Sequence, residues 1–124
     1  MKILIVDDNS LFLMLFQVYA EDITHFEFIY KNSGKEALES IEKANKEEIS
    51  LLVSDIRMPE MSGIELSQIV NDKYPHIPTI LITGMELDYF QKNDLISSAK
   101  LLSKDIGVEG ILEEIKLFFE KNSK

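Results

Sequence analysis

The chain has 124 residues, 45% of them hydrophobic and 28% charged, a formal charge of −9 and no cysteine. That length suits one packed core, so residues 1–124 are expected to form a single domain. The charge argues against nucleic-acid binding, whose affinity comes mostly from Lys and Arg neutralising phosphates, and the lack of cysteine excludes disulfides, thiolate metal sites and cysteine nucleophiles.

The chain opens with "MKILIVDDN", an apolar run broken almost at once by two aspartates, which is no signal peptide. Lys2 to Val6 reads as a first strand. The following charge-free stretch, "NSLFLMLFQVYA", reads as a helix and falls well short of the ~20 residues that a membrane span needs. A cytoplasmic protein without membrane attachment is the expectation. On this first helix Leu11, Leu15 and Val18 share a face at about 100° per residue, which predicts that they point inward and Leu13 outward.

Phe26 to Tyr30 is the second strand. Ser33-x-x-Glu36 then reads as a capping box ahead of a helix carrying Ala37, Leu38 and Ile41. Ser50 to Ser54 is a third strand, and Ser62-x-x-Glu65 is a second capping box before Leu66, Ile69 and Val70. Pro75 and Pro78 close that helix and lead into a fourth strand, Thr79 to Ile82. A fourth helix is predicted from Glu86 to Ala99, a fifth strand from Leu101 to Ser103 and a fifth helix from Val108 to Lys121. In the last, Ile111, Ile115 and Phe118 share a face that Leu117 points away from.

Nearly continuous Ile, Leu and Val in the first, third and fourth strands suits strands buried on both faces. Five strand-helix units in succession imply a doubly wound α/β sheet with right-handed crossovers, in which ligands bind beyond the carboxyl ends of the strands. At those ends stand Asp7 and Asp8, then Asp55, Thr83 and Lys104. Singly, each is explained as a cap or a solvated side chain. Their joint arrival at one sheet edge is not, because three crowded carboxylates must protonate or hold a cation. Oxygen ligands without histidine or cysteine point to Mg²⁺. A threonine hydroxyl and a lysine ammonium opposite them would grip an anion, a set suited to phosphoryl transfer.

"ILIVDDN", "LLVSDIRMPEMSGIEL", "ILITG" and the lone Lys104 closely resemble the receiver domain of bacterial two-component response regulators, over essentially the whole chain. The resemblance implies a flavodoxin-like (βα)5 sandwich with a five-stranded parallel sheet in the order 2-1-3-4-5. It implies that Asp55 accepts a phosphoryl group from the phosphohistidine of a sensor histidine kinase or a histidine phosphotransfer protein. Asp7, Asp8, Asp55 and the backbone carbonyl of Arg57 would hold Mg²⁺, and Thr83 and Lys104 would bind the phosphoryl oxygens. The domain would assist its own phosphorylation and dephosphorylation rather than act as an enzyme. Output would pass through the surface of the fourth helix, fifth strand and fifth helix, to a second copy or a downstream effector.

Three positions depart from the family pattern. Asp105 stands after Lys104 where receivers usually have proline, often in a cis bond, so a trans Lys104–Asp105 bond is expected. Leu101 replaces the usual aromatic switch, and Phe12, Leu13 and Met14 make the first helix unusually apolar. A flavodoxin-like electron carrier would need a hydroxyl- and glycine-rich loop where Asp7 and Asp8 stand. An aspartate-nucleophile phosphatase would place its nucleophile after the first strand and add a cap domain. A degenerate receiver serving only as a phosphorylation-independent docking module is the remaining alternative. His25 and His76 fall in loops outside any ligand spacing.

Overall fold

A computed structural model describes residues 1–44, 48–84 and 99–121. Strands β1 (Lys2–Val6), β2 (Glu27–Lys31), β3 (Ile49–Asp55), β4 (Thr79–Thr83) and β5 (Lys100–Ser103) pair in parallel in the order β2-β1-β3-β4-β5. Helices α1 (Ser10–Ala20), α2 (Gly34–Lys43) and α3 (Gly63–Lys73) fill the first connections, and a 3-10 turn at Lys104–Ile106 leads into α4 (Gly107–Lys121). This is the doubly wound sheet that the strand pattern predicts, in the flavodoxin-like order that the family resemblance implies, with strand ends within one residue of the expected positions. The helix expected from Glu86 to Ala99 lies, apart from Ala99 itself, outside the described residues, and α4 corresponds to the fifth helix expected from Val108 to Lys121.

Because successive side chains of a strand point to opposite faces, the apolar runs feed two separate cores. Ile3, Ile5, Leu51, Val53, Ile80 and Ile82 pack with Phe16 of α1 and with Ile111 and Ile115 of α4. Leu4, Val6 and Leu52 pack with Ala37 and Ile41 of α2 and with Leu66 and Val70 of α3. Continuous burial on both faces is therefore why these strands read as unbroken apolar runs rather than alternating ones.

The helix starts are chemically marked. Ser62 and Glu65 form the reciprocal capping box, with Glu65 N–H donating to Ser62 Oγ at 3.1 Å and Ser62 N–H to Glu65 Oε1 at 3.2 Å. At Ser33 the serine half is formed, its Oγ accepting from Glu36 N–H at 3.2 Å. Asn9 caps α1 by accepting from the N–H groups of Leu11 and Phe12. In α4, Ile111 and Ile115 are buried, and Leu117 is exposed as its spacing predicts.

The predicted facing of α1 is reversed. Leu13 and Phe16 are buried, whereas Leu11 is 62% exposed and Met14, Leu15, Val18 and Tyr19 join it on the outer face. The helix is apolar nearly all round, so periodicity offers two stripes of similar quality. Aromatic packing decides between them, because Phe16 meets Phe28 and Tyr30 edge-on at 5.6 and 6.0 Å between centroids. Leu13→Ala should accordingly cost about 2–4 kcal/mol of stability, against about 0.5 kcal/mol or less for Leu15→Ser; urea unfolding of the two variants checks the assignment.

Candidate functional site

Parallel topology brings the ends of β1, β3, β4 and β5 to one edge. Asp55 is the last residue of β3 and continues the Leu51 and Val53 series, which faces α1 and α4. It pairs in register with Ile82, so Thr83 stands one position further along β4, opposite Ser103, and Lys104 follows directly. Asp7 follows β1, donates its N–H to the Lys31 carbonyl of β2 at 3.1 Å, and accepts the Asn9 N–H on Oδ1 at 2.9 Å. Asn9 thus ties the helix start and the first carboxylate together.

Asp7 and Asp55 are buried, Asp8 is exposed, and carboxylate oxygens of the three lie within 4.8 Å of one another. The Lys104 ammonium lies 2.9 Å from Asp7 Oδ2 and 3.5 Å from Asp55 Oδ1. Thr83 is buried at the mouth of β4, and Arg57 is exposed in the loop that leaves β3. The sequence-predicted residues are thus on one edge, with Asp7, Asp8, Asp55 and Lys104 in mutual proximity.

The loop beyond Asp55 has two local constraints. Gly63 begins α3 with its N–H donating to the Ile56 carbonyl at 2.8 Å. A Cβ there would collide with the Asp55 carbonyl oxygen and lie 2.9 Å from its carbon, so only glycine lets α3 start this close to the end of β3. Glu60 is held at φ 67°, where it centres a tight turn closed by Met61 N–H donating to the Pro59 carbonyl at 2.7 Å. A non-glycine residue in that region stores backbone strain next to the site. The Lys104–Asp105 bond is trans, as expected.

Burial, and secondarily the charge of Asp7, push Asp55 up from 3.8 to about 6, against the downward pull of Lys104. For Lys104 burial works to lower the pKa, but Asp7 and Asp55 together outweigh it and hold the ammonium above its ordinary value. Asp7 Oδ2, although close to that ammonium, is buried and receives no directed hydrogen bond. A buried carboxylate oxygen whose nearest cation is a single ammonium, clustered with two more carboxylates and no histidine or cysteine, fits a hard divalent cation such as Mg²⁺. The structure adds one participant that sequence reasoning treated only as an apolar oddity: the Phe12 ring, whose centroid is 4.7 Å from Lys104 Nζ. Its signal was local, since Phe12 lies in the first turn of the helix that begins directly after the Asp7–Asp8 pair.

Fold and site together define a doubly wound α/β domain built around an acidic pocket with a half-buried lysine. The sequence matches the family described as the response regulator receiver domain over residues 3–116. It is 30% identical to the polar-differentiation response regulator DivK of Brucella ovis over 120 residues, 94% of each chain. It is 38% identical over 87 residues, 70% of this chain, to the regulatory protein VanR of Enterococcus faecium, of whose length the match spans only 36%. A CheY-like receiver domain protein from Methanospirillum hungatei JF-1 superimposes with a TM-score of 0.79 at 27% identity, over 98% of this chain and 95% of that one. The chain belongs to the response regulator receiver domain family. As such it is a signalling phosphoacceptor module rather than a classical enzyme, and receiver domains partner with histidine kinases. No helix among the described residues is long and apolar enough to cross a membrane.

The raised pKa of Asp55 has a thermodynamic consequence for the metal-free protein. Since the folded value lies above the unfolded one, the fold favours the protonated acid. Its contribution is fully present below about pH 4 and is lost as pH rises through about 6. Asp55→Asn removes that loss, so the metal-free variant should be more stable than wild type by about 1–3 kcal/mol at pH 8, with the gap closing toward pH 4. Denaturant unfolding in EDTA across that range measures it.

Proposed function

We propose that residues 1–124 act as one receiver domain in which Asp55 is the phosphoacceptor, taking its phosphoryl group from a phosphohistidine on a kinase or a phosphotransfer protein. The convergence of Asp7, Asp8, Asp55 and Lys104 on one sheet edge carries this reading. An Asp55 carboxylate oxygen attacks phosphorus as the P–N bond to the imidazole breaks, and the product is an acyl phosphate. With an acid pKa of about 6, Asp55 is mostly ionised and nucleophilic at neutral pH. Lys104 binds one phosphoryl oxygen as a point charge, and the Thr83 hydroxyl binds another. Mg²⁺, held by Asp7, Asp8, Asp55 and the Arg57 carbonyl, would supply charge neutralisation for the phosphoryl oxygens. In-line transfer of this kind demands mostly positioning and electrostatic stabilisation, which a strand end pinned within a buried sheet provides. The same residues then govern hydrolysis of the acyl phosphate.

The exposed apolar stripe of α1, Leu11, Met14, Leu15 and Val18, starts two residues beyond the Asn9 cap and so borders the phosphoacceptor edge. In this reading it packs against the helices that present the partner's phosphohistidine, as an apolar helix face suits helix-to-helix docking. Output is assigned to the surface containing β5 and α4, where Leu117 is exposed. Leu101 takes the place of a rotating aromatic ring and changes less surface between its rotamers, so phosphorylation should alter that face only weakly.

Mass spectrometry after incubation with acetyl phosphate and Mg²⁺ should show one added phosphate on wild type and none on Asp55→Asn; an unmodified wild type would favour the docking-module alternative. Met14→Glu should leave acetyl phosphate labelling intact and slow transfer from the cognate phosphohistidine protein by about tenfold or more, consistent with loss of one interface anchor.

A further inference from the structure

Lys104 ends in a compact charge on a flexible four-carbon stem, so its reach to a phosphoryl oxygen depends on what holds the ammonium in place. Among the described residues three groups hold it: Asp7 at 2.9 Å, Asp55 at 3.5 Å and the face of the Phe12 ring at 4.7 Å from the centroid. We propose that Phe12 is a positioning residue for Lys104, whose ring keeps the ammonium at the phosphoryl site once both carboxylates are engaged elsewhere. The inference rests on the phosphoacceptor reading above.

In that reading both carboxylates change partners. Asp7 is committed to the cation, which also repels the ammonium, and Asp55 is esterified to phosphorus. The ring is neither ligated, titrated nor modified, so it is the attractor of the three that survives loading. A cation over an aromatic face is held electrostatically by the ring quadrupole, and more strongly where water is partly excluded. Here Phe12 is half-buried and the Lys104 side chain is 24% exposed.

The ring is itself braced. Phe12 lies 6.2 Å from the fully buried Phe16, which in turn contacts Phe28 and Tyr30 of β2, so a row of aromatic rings runs from the sheet to the lysine. On the other side of Lys104 the chain turns sharply into α4. Ser103 Oγ accepts the Asp105 N–H at 3.1 Å, Gly107 turns the chain at φ 75°, and Ile106 is 44% exposed. These bonds set the backbone course and leave the lysine side chain to its contacts.

The test titrates beryllofluoride, a phosphoryl mimic, at saturating Mg²⁺, and Mg²⁺ alone, into wild type, Phe12→Leu and Phe12→Tyr. Phe12→Leu should bind beryllofluoride about 3- to 30-fold more weakly, keep its Mg²⁺ affinity within about twofold, and be rescued by Phe12→Tyr, which retains the ring face. In the metal-free proteins the Lys104 Cε protons should show an upfield ring-current shift in wild type and the tyrosine variant that disappears in Phe12→Leu. Phe12→Met, of similar volume without a ring, repeats the comparison should the leucine variant fail to fold. Equal beryllofluoride affinity in Phe12→Leu, a parallel loss of Mg²⁺ affinity, or no rescue by tyrosine would overturn the proposal while leaving the phosphoacceptor reading intact. Wild type that binds no beryllofluoride would overturn that reading and this inference with it.

Discussion

Two carboxylates at the buried end of a sheet cannot both stay ionised without a cation between them. Asp7 and Asp55 meet that condition, and in the metal-free protein Lys104 supplies the positive charge from within 2.9 and 3.5 Å. The compensation is incomplete, since burial and the charge of Asp7 still hold the pKa of Asp55 at about 6, well above its ordinary value. The fold therefore maintains a site that is electrostatically unfinished, with the donor set that a small hard cation would complete. Asp7 and Asp55 belong to strands paired side by side, and Lys104 comes from the edge strand two positions away, so no local segment could build the site alone.

Everything around the edge serves to hold that unfavourable arrangement still. Alternating burial on the two faces locks the strands into one register, because a slip of a single residue would exchange the two cores. Asn9 joins the first carboxylate to the start of α1, and Gly63 brings α3 against the carbonyl of Asp55 itself. The strain at Glu60 sits in the intervening loop, where packing of α3 and β3 determines the backbone on both sides.

α1 ties the site to the surface. Its inner face feeds the aromatic packing of Phe16 on β2, its flank presents Phe12 to Lys104, and its outer face leaves Leu11, Met14, Leu15 and Val18 to solvent. A helix that is apolar on nearly every side usually lies inside a protein. Here the outer stripe lies at the surface beside the acidic sheet edge, and in the proposed function it is the face that meets a partner's helix.

The strands, their burial on two faces, the parallel order and the convergence of Asp7, Asp8, Asp55, Thr83 and Lys104 on one edge were legible from the chain. Long Ile, Leu and Val runs and capping serines are local signals and parallel crossovers leave few topologies, while the strand order itself came from the family resemblance. The tertiary structure alone decided which stripe of α1 turns inward. A period of 3.6 cannot rank two apolar faces, and the winner is the one whose Phe16 fits the rings of Phe28 and Tyr30. It alone decided that Lys104 leans toward Asp7, with the Phe12 ring beneath it, because side-chain reach and burial in three dimensions set those distances and residue order does not. The acidity of Asp55 is of the same kind: a carboxyl is written in the sequence, but its pKa belongs to the water and charges that folding removes and gathers around it.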